Sequence, residues 1–438
     1  MNILKFGGTS VGTAERMKAL VSLVNGNDRK MVVLSAMSGT TNTLVDICQA
    51  LYQKQHQQAN SIINGLEEKY RQEADKLYKA EEFKDKGMDL IKNHFNYLRS
   101  FTLDMFTSNE EKAILAQGEL LSTALFYFHL QEEGIRAQLL PALNFMRIDE
   151  NDEPQLDYIQ KNLEVELAKY PDTNLFITQG YICRNAFGEI DNLKRGGSDY
   201  TASIIGAAIA AKEVQIWTDI DGMHNNDPRI VSKTHAIHQL NFDEAAELAY
   251  FGAKILHPTC ILPAQKKNIP VLLKNTMQPD AQGTLISNSI SAEGIKAVAA
   301  KDGICAITIK SDRMLLAHGF LRAVFEIFER YKTSIDMITT SEIAVSLTID
   351  NTKYLKEITK ELEEFSHVDI EENQTIICIV GNIPKDTAGY GFKVMEAFKA
   401  IPLRMVSYGG SPNNISVLIN ATYKKEALVA LNSVLFGY

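Results

Sequence analysis

Asn2–Ser10 reads NILKFGGTS, an apolar run that passes into two glycines, a threonine and a serine. The apolar run predicts a strand over Asn2–Phe6, and the residues after it predict a tight loop that leads into a helix. Glycines let a loop approach an anion without a Cβ clash, a helix N-terminus presents unpaired N–H groups, and Lys5 adds positive charge. The loop therefore predicts a phosphate-binding turn; the alternative is a plain turn capped by Thr9 or Ser10.

The same pattern of a strand followed by polar or glycine-rich residues continues to about residue 285. Apolar runs rich in Ile, Val and Leu alternate with helix-like stretches, which is typical of βαβ units around a largely parallel sheet. Because open α/β sheets bind ligands at the carboxyl ends of their strands, we expect functional residues there. The predicted strands are Asn2–Phe6, Met31–Ser35, Gln138–Pro141, Leu175–Gln179, Val214–Thr218 and Pro270–Lys274.

Two parts of the chain depart from this pattern. Residues from about 53 to 108 are polar, charged and free of proline, with leucines at amphipathic helical spacing, which predicts a helical insertion or a lid-like arm. After residue 283 a weak repeat begins at Gly319 and again at Gly391, and each copy reads as a helix followed by two strands. The repeat predicts two small α+β modules, one over 304–374 and one over 295–303 together with 375–438.

Composition excludes several classes of protein. The 438 residues suggest more than one domain, and 45 Lys and Arg against 54 Asp and Glu give a net charge of −9. Without a dense basic stripe, a nucleic-acid partner is not expected. The longest apolar stretch, Ile204–Ala211, is too short to cross a membrane, and the N-terminus lacks a secretory pattern, so a cytoplasmic location is expected. The 5 cysteines form no CxxC pair and are read as ordinary buried thiols.

Further polar motifs stand at predicted strand and helix ends. Arg195–Thr201, RGGSDYT, gathers an arginine, two glycines, a serine and an acid at a helix start, which favours carboxylate binding over a plain N-cap. Thr218 and Asp219 end a strand. Taken alone, Glu119 could equally be an acid that favours the helix dipole, and Lys254 would more often be a solvated cation. No Gly-Lys dipeptide, HRD or DFG occurs, which excludes the P-loop and the protein-kinase signature.

Taken in order, KFGGTS, SGTTN, QGELLS, RGGSDYTA, WTDIDG, NDPR and FGAKILHP resemble the motifs of the aspartokinases, within the amino acid kinase family. The resemblance covers nearly the whole chain, because the C-terminal repeat is similar to the paired ACT modules of those enzymes. It implies an α/β kinase domain over 1–285, with a parallel-rich sheet sandwiched by helices, followed by two ferredoxin-like ACT modules. It also implies a monofunctional enzyme that uses MgATP to convert L-aspartate to 4-phospho-L-aspartate, the first step towards lysine, threonine and methionine.

The resemblance also implies roles for individual residues. Lys5 and Asp199 are the implied catalytic residues, and Lys5 would stabilise the transferring phosphoryl group. The implied substrate residues are Thr41, Glu119, Arg195, Gly196, Gly197 and Ser198, with Arg195 facing the α-carboxylate and Glu119 the ammonium. The implied nucleotide residues are Lys5, Gly7, Gly8, Thr9, Ser10, Thr218, Asp219, Arg229 and Lys254. The metal ligands are not assigned, and His224 stands where members of the family often carry a tyrosine.

An effector site is implied in the first ACT module, where the acids Asp336 and Glu342 suit amino groups. Its implied residues are His318, Gly319, Phe320, Leu321, Ser334, Ile335, Asp336, Thr340, Ser341 and Glu342. Lysine is the favoured feedback inhibitor and threonine the alternative, and pairing of ACT modules implies a homodimer or a larger assembly. Two rival functions stay open: a related kinase acting on glutamate or another small acid, and a catalytically silent amino-acid sensor.

Overall fold

The computed structural model describes residues 1–103, 106–193, 196–252, 256–289, 292–310 and 319–437, which form two compact units. The first unit takes in residues 1–223, 238–242 and 255–289, and the second takes in 224–237, 243–254 and 290–438. Residues 224–237 and 243–254 were predicted to belong to the first domain, over 1–285. They fall in the second unit instead, where Val231 is buried in an apolar core with Ile377 and Ile415.

The first unit is built on one eight-stranded sheet with helices packed against it. Its strands, including a small separate hairpin of β5 and β6, are β1 (Asn2–Phe6), β2 (Lys30–Leu34), β3 (Ala137–Leu139), β4 (Leu175–Gln179), β5 (Ile182–Arg184), β6 (Ile190–Asn192), β7 (Glu213–Thr218), β8 (Gln239–Asn241), β9 (Val271–Asn275) and β10 (Thr284–Ser287). Its helices are α1 (Ala14–Val24), α2 (Thr40–Tyr52), α3 (His56–Leu77), α4 (Glu81–Ser100), α5 (Ser108–Leu115), α6 (Gln117–Glu132), α7 (Leu156–Ala168) and α8 (Gly197–Ala208); α9 (Phe242–Tyr250) begins at the boundary, and α10 (Pro258–Lys266) follows.

The sheet has the order β3-β4-β2-β1-β7-β9-β10-β8, and every pair in it is parallel except β9 with β10. This confirms the predicted parallel-rich α/β architecture. Alternation along β1 sends Leu4 and Phe6 into an apolar core shared with α1, α2, α3, α4 and α6. Ile3 and Lys5 therefore point to the opposite face of the sheet, where α8 packs against β1.

The predicted helical insertion is present as α3 and α4. Both helices pack into the main core of the first unit, with Tyr70 and Phe95 fully buried and their ring centroids 5.8 Å apart. The Tyr70 hydroxyl and the Thr40 hydroxyl are hydrogen-bonded at 3.1 Å, which ties α3 to the start of α2. The alternative reading as a lid-like arm is therefore wrong, because these helices contribute to the core and do not stand away from it.

The second unit contains one six-stranded antiparallel sheet with the order β12-β13-β11-β14-β16-β15. Its elements are β11 (Gly294–Lys310), α11 (Phe320–Arg330), β12 (Ile338–Thr340), β13 (Ala344–Ile349), α12 (Leu355–Glu363), β14 (His367–Asn382), α13 (Tyr390–Ala397), β15 (Met405–Tyr408), β16 (Asn414–Asn420) and α14 (Lys424–Phe436). The long central strands β11 and β14 run through both repeats, and their register shifts around Ile304. Each repeat has its own apolar core, one around Ile307 and Phe328 and one around Ile379 and Val417.

Two further features concern the apolar character of the helices and the state of the cysteines. In the part of the chain that the structure describes, no helix combines the length and the apolar character needed to cross a membrane. The five cysteines, Cys48, Cys183, Cys260, Cys305 and Cys378, are all buried and none forms a disulfide.

Candidate active site

A pocket of about 480 Å³ opens where β1, β2 and β4 end and where α2 and α8 begin. This is the edge of the sheet at which the sequence analysis expected ligands. The pocket brings together nine of the predicted residues, which are Lys5, Gly8, Thr9, Thr41, Glu119, Gly196, Gly197, Ser198 and Asp199. The remaining wall consists of Ser35, Ala36, Met37, Ser38, Gly39, Asn42 and Tyr181.

Lys5 and Asp199 form an ion pair inside the pocket, with 2.7 Å between Nζ and Oδ1. Their side chains are only 9% and 15% exposed, so water screens the pair weakly. Strand β1 aims Lys5 at α8, and Asp199 lies in the first turn of that helix, where the helix dipole favours a carboxylate. The pair holds a positive charge at a fixed point of the pocket wall.

The loop after β1 is held against both neighbouring strands. The Gly7 N–H donates to the Trp217 carbonyl on β7 at 3.2 Å, and a Cβ on Gly8 would lie 2.9 Å from the Ala36 carbonyl oxygen. Helix α1 begins only at Ala14 with Thr13 as its N-cap, so neither Thr9 nor Ser10 caps it and the loop does not lead directly into a helix. The alternative of a plain turn capped by Thr9 or Ser10 is therefore wrong, whereas the predicted order of strand, loop and helix is confirmed.

The N-termini of α2 and α8 both face the pocket. Each begins after a glycine with a left-handed backbone, Gly39 with φ 80° and Gly196 with φ 77°, and neither helix has a side-chain cap. The alternative prediction for this motif, Ser198 or Asp199 as a plain N-cap, is therefore wrong, because Gly196 is the N-cap. Unpaired N–H groups and the positive ends of two helix dipoles favour bound anions in this space.

Glu119 is a buried acid with one unpaired oxygen. It lies in the first turn of α6, is 4% exposed, and accepts a hydrogen bond from the Ala36 N–H at 3.1 Å through Oε1. Its Oε2 has no hydrogen-bond partner within the described residues. Burial raises the pKa of Glu119 to about 8, although the Ala36 N–H and the positive charge of Lys5 act in the opposite direction. Such a carboxylate is suited to a cation that enters with a ligand.

Tyr181 lies in the pocket wall and was not predicted. Its backbone is left-handed with φ 67°, and its N–H donates to the Thr201 hydroxyl at 2.9 Å. The ring packs on Gly197, where an added Cβ would lie 2.2 Å from Cδ2 of the ring. Ala36 also lies in the pocket wall and was not predicted. Both residues closely follow the end of a strand, and this is the one feature of the sequence that could have indicated them as pocket residues.

Several predicted nucleotide and substrate residues lie elsewhere. Arg195 and Lys254 fall outside the described residues. Gly7 and Ser10 belong to the loop, and the Ser10 hydroxyl bonds the Thr276 hydroxyl at 2.7 Å. Thr218 ends β7 and its hydroxyl accepts from the Ile220 N–H at 3.1 Å, whereas Asp219 is exposed. Arg229 belongs to the second unit, where it makes a bidentate ion pair with Asp227. His224, to which no role was assigned, belongs to the same unit, and its Nδ1 lies 3.2 Å from the Thr234 hydroxyl.

The implied effector residues belong to the second unit, apart from His318, which is not among the described residues. Gly319 is the N-cap of α11, and Phe320 and Leu321 form the first turn of that helix. Asp336 is buried and paired with Lys301 of the same chain at 2.9 Å, and it accepts a hydrogen bond from the Tyr250 hydroxyl. The others are at least partly exposed: Ser334, Ile335, Thr340, Ser341 and Glu342.

Comparison with known proteins agrees with this fold and this pocket. Residues 1–275 match the Amino acid kinase family, and residues 377–435 match an ACT domain. The chain therefore belongs to the amino acid kinase family.

Its relatives narrow the assignment. The chain is 32% identical over 447 residues to lysine-sensitive aspartokinase 3 of Escherichia coli K12, covering 99% of each, and 32% identical to the chloroplastic aspartokinase 3 of Arabidopsis thaliana, covering 99% of this chain and 81% of that one. The crystal structure of E. coli aspartokinase III with aspartate and ADP is similar with a TM-score of 0.85 over 100% of both chains at 32% identity. The structure of that enzyme with lysine and aspartate gives 0.78 over 100% and 99%, again at 32% identity. Within the amino acid kinases, the chain belongs to the aspartokinases.

Proposed function

We propose that this aspartate kinase transfers the γ-phosphoryl group of ATP to the side-chain carboxylate of L-aspartate in the pocket around Lys5. The observation that carries the proposal is the charge pattern of that pocket: a fixed cation, two helix N-termini and the unpaired acid Glu119 around one space. An α-amino dicarboxylic acid offers the matching groups, since it has one ammonium and two carboxylates. The E. coli relative solved with aspartate and ADP supports the same substrate pair.

The acceptor is held by residues of opposite charge. The ammonium of aspartate binds the free Oε2 of Glu119, which exchanges its proton for that cation. The N–H groups and hydroxyls at the starts of α2 and α8, with Thr41 and Ser198, receive the carboxylates. Arg195 clamps the α-carboxylate, a role that follows from its position in RGGSD.

Lys5 stabilises the phosphoryl group during transfer. Phosphoryl transfer needs positioning and charge neutralisation more than covalent help, so a buried ammonium held by Asp199 is a suitable tool. The N–H groups of Gly8 and Thr9 make no backbone hydrogen bond within the described residues and are available to phosphate oxygens. Gly7, Ser10, Thr218 and Asp219 complete the proposed nucleotide set within the first unit. The nucleotide roles of Arg229 and Lys254 stay predictions from the sequence.

The donor set also fits magnesium. A Cβ at Gly7 would lie 3.4 Å from the Lys5 Nζ, so the glycine keeps this part of the loop open beside the cation. Mg²⁺ takes hard oxygen ligands, and phosphate oxygens together with the Asp199 carboxylate would supply them. When bound, the ion would neutralise charge on the phosphates.

Regulation belongs to the second unit in this proposal. Lysine binds the first ACT repeat as feedback inhibitor, with threonine as the alternative. The E. coli relative solved in complex with lysine and aspartate supports lysine over threonine. The sheet of this unit ends in β12 and β15, and large apolar side chains such as Phe325, Ile338, Phe392 and Tyr408 are 37% to 74% exposed. These surfaces support a homodimer or larger assembly, which light scattering would measure. A cytoplasmic location and the lack of a nucleic-acid partner stay predictions from the sequence.

Trapping of the product tests the activity directly. The purified chain is incubated with MgATP, L-aspartate and hydroxylamine, which displaces phosphate from an acyl phosphate and gives a hydroxamate. The hydroxamate is then measured as its coloured complex with ferric ion. Aspartyl hydroxamate in the wild type and its loss in Lys5→Ala are expected. If product forms with glutamate and not with aspartate, the enzyme is a kinase of a different acid. If no acid gives product although the chain binds an amino acid, the result favours the catalytically silent sensor.

A further inference from the structure

The C-terminal end of α6 carries a second cluster of polar side chains, consisting of His129, Glu132 and Glu133. Three and four residues apart, they share one side of the helix, roughly 15 Å along its axis from Glu119. One imidazole nitrogen and one oxygen of each carboxylate lie within 4.8 Å of one another. This cluster has no part in the proposed phosphoryl transfer.

Two atoms of the cluster are buried without partners. His129 is 1% exposed, and neither its Nδ1 nor Oε2 of Glu132 has a hydrogen-bond partner within the described residues. The two atoms face each other at 3.5 Å, which is long for a direct hydrogen bond. Because buried polar atoms are almost always satisfied, an unpaired nitrogen and an unpaired oxygen side by side point to a shared ligand.

The types of donor in the cluster suit a cation. An imidazole nitrogen beside a carboxylate oxygen is a pair that a divalent transition-metal ion binds.

The surrounding backbone fixes one ligand. Oε1 of Glu132 accepts hydrogen bonds from the N–H groups of Lys79 and Ala80, both at 2.7 Å, at the start of α4. This leaves Oε2 turned towards His129. Hydrogen bonds to the second oxygen of a carboxylate are the outer-sphere support that metal ligands usually have.

We propose that His129 Nδ1, Glu132 Oε2 and the Glu133 carboxylate bind one divalent transition-metal ion, with Zn²⁺ as the best match. One imidazole and two carboxylates are ordinary zinc ligands, and a water molecule completes the coordination. The ion links the end of α6 to the start of α4 through Glu132 and is structural. At present Lys79 Nζ lies 3.1 Å from Glu133, and because Lys79 is 73% exposed it is the cation that the metal displaces.

The test uses the full chain after treatment with a chelator, without nucleotide or aspartate. Titration with Zn²⁺ in a calorimeter, and with Co²⁺ followed by its visible absorption, is expected to show one site. Glu133→Gln and His129→Gln are expected to weaken it by at least about tenfold. Glu68→Gln, an exposed acid on α3, is the matched control and should bind like the wild type.

Lys79→Ala separates a metal site from a purely structural cluster. Removing the competing ammonium from Glu133 should tighten Zn²⁺ binding, and Zn²⁺ should raise the melting temperature of the wild type but not of Glu133→Gln. Glu133 is partly exposed at a helix end, so we expect Glu133→Gln to fold. This variant therefore keeps the test valid if His129→Gln does not fold. No stoichiometric uptake at micromolar Zn²⁺, or equal uptake by Glu133→Gln and the wild type, would overturn the proposal.

Discussion

Lys5 Nζ lies 2.7 Å from Asp199 Oδ1, so a cation at the end of β1 is held by an acid in the first turn of α8. The sheet and the helix thereby fix an ammonium at the pocket wall before any substrate binds. Preorganised charge of this kind accelerates phosphoryl transfer because little reorganisation is needed in the transition state.

Lys5→Ala is therefore expected to lower kcat by roughly two orders of magnitude or more, the size of losing one transition-state donor. Turnover is measured with the hydroxamate assay at saturating aspartate and ATP. Far-UV circular dichroism must show that the variant is folded, since the change also leaves Asp199 without its partner. A folded Lys5→Ala enzyme with normal turnover would contradict the catalytic assignment.

Glu119 should make aspartate binding depend on pH. Burial raises its pKa to about 8, so below that pH the empty enzyme carries a neutral acid that must lose its proton before it pairs with the substrate ammonium. The KM for aspartate is expected to fall by about 25-fold between pH 6.5 and pH 8.5, the ratio that a single ionisation with this pKa gives. The KM for ATP serves as the internal control and should not follow this profile, and Glu119→Gln should abolish it.

The same shift has a consequence for stability. Because the pKa of Glu119 is higher in the folded state than in the unfolded state, the free energy of unfolding falls as the pH rises. The fall begins near the unfolded pKa of 4.5 and is complete above about 8. Glu119→Gln removes this loss while keeping an oxygen for the Ala36 N–H. Without ligands it should melt at a higher temperature than the wild type at pH 8.5, with the difference shrinking towards pH 5. An equal difference at both pH values would argue against the raised pKa.

Tyr181 and Gly197 are expected to act as one unit in substrate binding. A methyl group on Gly197 would lie 2.2 Å from the Tyr181 ring, so Gly197→Ala must push the ring out of place. We expect a KM for aspartate raised about tenfold in Gly197→Ala and in Tyr181→Ala, with the double variant close to either single one. Additive effects in this cycle would show that the ring and the glycine contribute independently.

Much of the fold was predictable because β1, β2 and β4 are mostly apolar runs that are buried along nearly their whole length. These three strands and β7 start and end within a residue of their predicted bounds. Strands of three residues, such as β5, β6 and β8, leave no readable pattern. The left-handed backbone of Tyr181 also has no sequence signal, and neither does the packing of its ring on Gly197, sixteen positions later. The inclusion of 224–237 in the second unit follows from burial of Val231, which only the tertiary structure reveals.

The proposed effector site also contains contacts that the sequence could not predict. Asp336 was indicated as an acid for an incoming amino group, but nothing in the sequence shows that Lys301, 35 residues earlier, already neutralises it. The Lys301 Nζ lies 2.9 Å from both Asp336 and Asp350 and 4.0 Å from the centroid of the Tyr250 ring. A tethered ammonium therefore occupies Oδ1 of the carboxylate that the effector's ammonium would use, whereas Oδ2 has no hydrogen-bond partner within the described residues.

Lys301→Met should make the enzyme more sensitive to lysine. Without its own cation, the buried Asp336 gains more from the effector, so half-inhibition should need about fivefold less lysine, the lower end of allosteric coupling energies. Lys310→Met is the matched control on the same strand, because Lys310 pairs with Asp369 at the surface, where both side chains are about half exposed. Inhibition curves at fixed subsaturating aspartate measure the effect, and melting temperatures show whether both variants are folded. A folded Lys301→Met enzyme that needs as much lysine as the wild type would show that Asp336 does not hold the effector.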